Sequence, residues 1–185
     1  SPRSVPVSEV AQARTRASQL APTLRGLLGG SQRRHWVLEH RGSAEVLARL
    51  EHPRRDAWAS CGPLTPDHII RTKHKPWVFG DLADRESLVD ALQESLNRYR
   101  GAVHASFVEC AEAAGGVSEF TELDTTPRVI WVPGIGLFGV GTSQKAARIA
   151  ADIAEHTWIG KEWSAGLGDW RGLSRQQFFE MEYWS

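Results

Sequence analysis

The chain has 185 residues, 41% of them hydrophobic, with 22 Lys and Arg against 22 Asp and Glu. That length gives one domain with a core of its own. The charge balance excludes a general nucleic-acid binder, which carries a basic excess. No apolar run approaches the roughly 20 residues that cross a bilayer. The N-terminus does not read as a signal peptide, because Pro6, Ser8 and Glu9 interrupt Val5 to Ala13. Cys61 and Cys110 lie far apart without CxxC spacing, which points to a cytoplasmic protein with two buried thiols rather than a disulfide framework.

In chain order, residues 1–7 contain two prolines and read as a linker. Ser8 to Leu28 has helical spacing, broken or kinked at Pro22 and ended by Gly29-Gly30. Arg34 to His40 alternates as a short strand. Ser43 caps a helix through Leu50, and a second short helix covers Arg54 to Ser60. Thr65 caps another, with Pro66 at its first position and its body running from Asp67 to Thr72. Asp84 caps a long helix whose apolar face is Val89, Leu92, Leu96, Tyr99, Val103 and Phe107. Gly115-Gly116 ends it, and Val117 to Thr121 is strand or loop. Arg128 to Val132 has the continuous apolar run of a buried strand, and Leu137 to Val140 is a second. Thr142 then caps a helix with Ala146, Ile149, Ala150, Ile153 and Ala154 inward, and Ser174 caps a last one. The fold class is α/β: a single lobe with a small sheet flanked by helices. Residues 1–30 form the N-terminal linker and helix, and residues 31–185 the main domain. The aromatic C-terminal end (Trp158, Trp163, Trp170, Phe178, Phe179, Tyr183, Trp184) reads as a surface that packs on something.

Two segments invite a chemical reading. Gly134-x-Gly136-x-x-Gly139, with Thr142 beyond it, has the spacing of a dinucleotide loop. In such a loop the third glycine lies inside the helix and the pyrophosphate rests on the helix N-terminus. Here Leu137-Phe138-Gly139-Val140-Gly141 suits a hairpin, and the first cap comes several residues late. No carboxylate ends a following strand to hold a ribose. The favoured reading is a structural hairpin; the alternative is a stand-alone nucleotide- or sugar-phosphate-binding module. The second segment places His68, Arg71, Lys73, His74 and Lys75 within eight residues. His68, Arg71 and Lys73 are its candidates for the anionic end of a ligand, against a solvated basic loop. No HxH or HxxxH occurs, and no G-x-S-x-G elbow, so neither a metal ligand nor a catalytic residue is assigned.

The order of Gly62-Pro63-Leu64-Thr65-Pro66-Asp67-His68-Ile69-Ile70-Arg71-Thr72-Lys73, then Pro127 to Phe138, then Lys145 to Thr157, then Glu182-Tyr183-Trp184-Ser185, closely resembles the middle of the bifunctional rhamnulose-1-phosphate aldolase/lactaldehyde (alcohol) dehydrogenases. The resemblance covers the chain from about Leu24 to the end. It implies class II aldolase-like or Rossmann-like layering and a place between two catalytic sites. It implies a parent that uses zinc for aldol cleavage and NAD for aldehyde oxidation in rhamnose-type catabolism. No cofactor is expected in this chain. Its expected partners are the remaining aldolase and dehydrogenase domains and further copies of itself. The family's Tyr-x-x-x-Lys dehydrogenase pair has no counterpart here. Pro133-Gly134 stands where a zinc-binding His-Gly is expected, so the resemblance implies an aldolase-like, non-catalytic connector lobe that has lost its metal.

Overall fold

The computed structural model describes residues 3–30, 34–80, 88–168 and 171–183. The organising feature is a hairpin. β3 (Val129–Val132) and β4 (Gly136–Gly141) pair antiparallel, with Val132 opposite Gly136 and Val129 opposite Gly139. Between them, the Ile135 N–H donates to the Val132 carbonyl at 3.0 Å. Pro133 presets the first corner of this turn, and Gly134 takes the positive φ (74°) that the second corner demands. Two more strands flank the hairpin. β1 (Val37–Arg41) runs antiparallel to β4, and β2 (Trp77–Val78) runs parallel to β3, giving the order β1-β4-β3-β2.

Both faces of this mixed sheet are covered, so its central strands are apolar throughout rather than alternating apolar with polar. Side chains still alternate by face. Ile130, Val132, Phe138 and Val140 join one core with Leu20, Leu24 and Leu28 of α1 (Val7–Gly29) and Leu92 and Leu96 of α5 (Leu88–Ala113). Leu24, Leu92 and Leu96 are 0% exposed, and each such side chain contributes about 2 kcal/mol. Val129, Trp131 and Leu137 point the other way. They meet α2 (Ala44–Leu50), Trp58 of α3 (Arg55–Ser60), and Ala150, Ala151, Ala154 and Trp158 of α6 (Gln144–Leu167). The result is three layers, helix–sheet–helix. Arg41 ties the edge strand to α6 by reaching Glu39, Asp152 (2.7 Å) and Glu155 (3.1 Å).

Pro66–His68 forms a single 3₁₀ turn that runs into the short α4 (Ile69–Thr72). A second 3₁₀ turn covers Val117–Glu119. The chain closes with α7 (Arg175–Glu182), opened by a full capping box between Ser174 and Gln177. Phe179 of α7 packs with Phe107, Cys110 and Ala111 of α5 in a third cluster.

Several expectations need correcting. α1 runs unbroken through Pro22. Its buried stripe (Ala13, Ala17, Leu20, Leu24, Leu28) passes straight across that point, and packing outweighs the lost backbone donor. Val89 is 52% exposed, and α5 instead buries Ala91, Leu92, Leu96, Phe107, Cys110 and Ala111. The expected Asp84 cap lies outside the described residues. The cap of α6 is Ser143, whose hydroxyl accepts from the Ala146 N–H at 3.1 Å, and Thr142 is exposed. The inward face of α6 is correspondingly shifted to Ala147, Ala150, Ala151, Ala154 and Trp158. Of the C-terminal aromatics, Trp158, Phe178 and Phe179 are buried within the chain, Trp163 is 73% exposed, and Trp170 and Trp184 lie outside the described residues.

Candidate functional site

A cavity of about 310 Å³ opens where the segment leaving α4 meets the middle of α5 and the inner face of α7. That volume is at the small end of the range for organic ligands. Its body is apolar: Ile69, Val103, Phe107, Phe178 and Phe179. Its polar groups include Lys73, His74, Lys75, Ser106, Arg175 and Glu182, with the hydroxyls of Tyr99 and Tyr183 on residues that also line it.

Local sequence explains how these groups are held. Lys73 ends α4 with φ 62° and ψ 172°. Glycine favours that region, and any other residue there costs about 1–3 kcal/mol. The turn aims the Lys73 ammonium at Glu182, 3.1 Å away, with side-chain exposures of 10% and 15%. The next residue, His74, lays its ring against Phe178 at 4.7 Å between centroids. The Tyr99 hydroxyl donates to the Lys75 carbonyl at 2.9 Å and fixes the segment to α5. Arg175 sits at the start of α7 and bonds Glu109 at 2.5 Å.

Electrostatically the wall is cationic. Burial pushes the His74 imidazole down to about 4, and Lys75, Arg175 and Lys161 push it the same way. His74 is therefore neutral at pH 7, chiefly because burial disfavours the imidazolium and secondarily because of the cations around it. Burial raises the Cys110 thiol, which is no activated nucleophile. What the cavity offers is a binding surface: positive charge beside aromatic walls, with its one carboxylate held by Lys73.

The three sequence candidates for an anion do not converge. Lys73 lines the cavity. Arg71 is exposed on α4, and neither it nor His68 lines the cavity. The His68 Nδ1 is buried without a hydrogen-bond partner. Sequence reasoning missed Arg175 and Glu182, which lie about a hundred residues from Lys73 and carry no local signature. It also missed Lys161, which is 3% exposed. For Lys161 a signal existed: Ala154, Trp158 and Lys161 continue the inward stripe of α6 at steps of four and three.

The glycine segment is structural in this fold. A Cβ on Gly136 would overlap the Arg41 carbonyl, one on Gly139 the Ala147 carbonyl, and one on Gly141 the Ala147 N–H. These glycines let β1 and α6 approach β4. Thr142, the fourth residue of that alternative, does not cap the helix. The turn at Pro133-Gly134 carries no donor side chain. Among the described residues, no group of three His, Cys, Asp or Glu side chains is placed to hold a metal ion. No helix among the described residues is long and apolar enough to cross a membrane.

Comparison with known proteins is consistent with the layered α/β architecture. The chain is 22% identical over 168 residues to an uncharacterized oxidoreductase, YuxG, of Bacillus subtilis (strain 168), an alignment covering 89% of this chain and 23% of that protein. The chain thus spans about a quarter of the length of the curated relative it matches. No solved structure matches it. The family model described as aldolase class II, second domain, matches residues 15–185, and the chain belongs to that family.

Proposed function

We propose that this chain is a non-catalytic lobe of a longer bifunctional polypeptide, joining a class II aldolase to a short-chain dehydrogenase. The observation that carries this reading is a pairing. An aldolase-family domain fills the chain, and the relative it matches is several times longer and is called an oxidoreductase. The parent chemistry would be zinc-dependent cleavage of a ketose 1-phosphate of the rhamnose type, followed by NAD-dependent oxidation of the aldehyde. The lobe orients the two catalytic units and builds the oligomer of a cytoplasmic enzyme. The metal and the nucleotide are held by the other domains.

The test compares the isolated 185-residue chain with the complete polypeptide. The complete protein is expected to cleave rhamnulose 1-phosphate and reduce NAD, and the isolated chain to do neither. Turnover by the isolated chain, or a complete protein inert in both assays, would overturn the reading.

A second reading, a lobe that itself binds a sugar phosphate, is favoured by the cationic cavity wall. In it the anionic end displaces Glu182 from Lys73 and Glu109 from Arg175, beside Lys75, while His68 and Arg71 assist from outside the cavity. Calorimetry with a sugar phosphate separates the two readings. Unchanged affinity in Arg71→Ala removes Arg71 from the set.

A further inference from the structure

Lys161 is an unusual cation. It is 3% exposed, and its ammonium donates to the Trp58 carbonyl at 2.7 Å and the Gly62 carbonyl at 2.5 Å. The Trp58 carbonyl lies in α3 and also accepts from the Cys61 N–H at 3.4 Å, and Gly62 follows just beyond the helix. No carboxylate pairs with the ammonium among the described residues. An ammonium has three N–H donors, so one is left over. A second, small cavity of about 30 Å³ lies beside it, distinct from the large one. That is room for one or two water-sized species, since each needs roughly 10–15 Å³.

Two other buried polar atoms belong to the same small cavity. Trp131 and Thr157 line it, and Trp131 Nε1 and Thr157 Oγ1 are both buried without a hydrogen-bond partner. Trp131 is 5% exposed. An indole N–H only donates, and a buried donor left unpaired costs about 1–3 kcal/mol. Lys161, Trp131 and Thr157 thus line one small space, and each carries a donor that no other group in the structure takes up. No acidic side chain lines it. The Thr72 hydroxyl, also in the wall, is already bonded to the His68 and Lys73 carbonyls. The Thr72 and Thr157 oxygens and a neutral His74 ring can all accept, so a water can be hydrogen-bonded there, but a water leaves the buried Lys161 charge without a counter-charge. A monatomic anion needs no acceptor, satisfies all three donors and neutralises a buried charge.

We propose that the cavity bounded by Lys161, Trp131 and Thr157 is a halide site, holding one chloride between α3, β3 and α6. The ion joins two helices to the central sheet and stabilises the native state alone, because the unfolded chain has no such cavity.

The test is thermal unfolding of the 185-residue chain in sodium chloride or bromide against sodium gluconate at equal ionic strength. Chloride and bromide are expected to raise Tm saturably, by about 3–5 °C at ten times the dissociation constant. Bromide should also quench a saturable part of the tryptophan fluorescence. Thr157→Val removes one donor while keeping close to the original shape, and Trp131→Phe removes another while keeping an aromatic ring of smaller size. Each is expected to weaken halide affinity several-fold in a fold that still unfolds cooperatively. Lys161→Met is expected to abolish the response, and the other two variants carry the test where that one fails to fold. A crystal soaked in bromide should show anomalous scattering at the site. Equal Tm in halide and gluconate, or an ordered water only at this position under high bromide, would overturn the proposal.

Discussion

Lys73 shows how one residue couples backbone strain to the cavity. Its φ of 62° is the one positive value at a non-glycine among the described residues. The Glu182 ion pair helps hold it there. Breaking a pair this buried leaves a carboxylate unmatched, which is strongly destabilising. Lys73→Ala is therefore expected to cost about 2–3 kcal/mol, because it loses the pair and keeps the strained backbone. Lys73→Gly loses the same pair and relieves the strain, so it should be the more stable variant by about 1 kcal/mol. Urea unfolding of both proteins measures the difference. If alanine matches or exceeds glycine, the turn is not strained. The ordering matters for the site, since an outlier of this kind persists where surrounding contacts over-determine it.

Among the elements, α6 shows what local sequence decides and what it does not. The alanine-rich run and the nearby Thr142-Ser143 pair were enough to place a helix here. The sequence reading puts the cap at Thr142, one residue early, and its inward face is shifted to match. Contact decides the true register: Gly139 and Gly141 leave no space for a Cβ, and Ala147 fits against both. Ser143→Ala should therefore cost about 1 kcal/mol in chemical unfolding. Thr142→Ala should stay within about 0.5 kcal/mol of the parent. The reverse ranking would return the cap to Thr142. The strands were legible for a similar reason. Val129-Ile130-Trp131-Val132 is apolar without a break, as a strand covered on both faces must be. The cavity was not legible. His74 and Lys75 were visible as a basic cluster, but Arg175 and Glu182 reach them only through the packing of α7 on α5. Nothing near Lys73 in sequence announces a carboxylate 109 positions away.

For the whole molecule, the burial of His74 and the cations around it become a dependence of stability on pH. Burial of the ring is the main cause, and Lys75, its neighbour in sequence, acts with Arg175 and Lys161, which folding brings from distant parts of the chain. The folded protein holds His74 at about 4 against an ordinary 6.5. Between those values the unfolded chain binds more protons than the native state, so stability rises with pH through that window. The contribution is full above about pH 6.5 and is lost as pH falls towards 4. With the partly exposed ring discounted for solvent screening, the loss from pH 7 to pH 4.5 is about 2 kcal/mol. Other groups titrate in the same range, so the measurement is a difference. His74→Phe keeps a ring against Phe178 and cannot take up a proton. Urea midpoints at the two pH values should fall less in the variant than in the parent, by the equivalent of about 2 kcal/mol. Equal falls would mean that His74 protonates freely in the folded state.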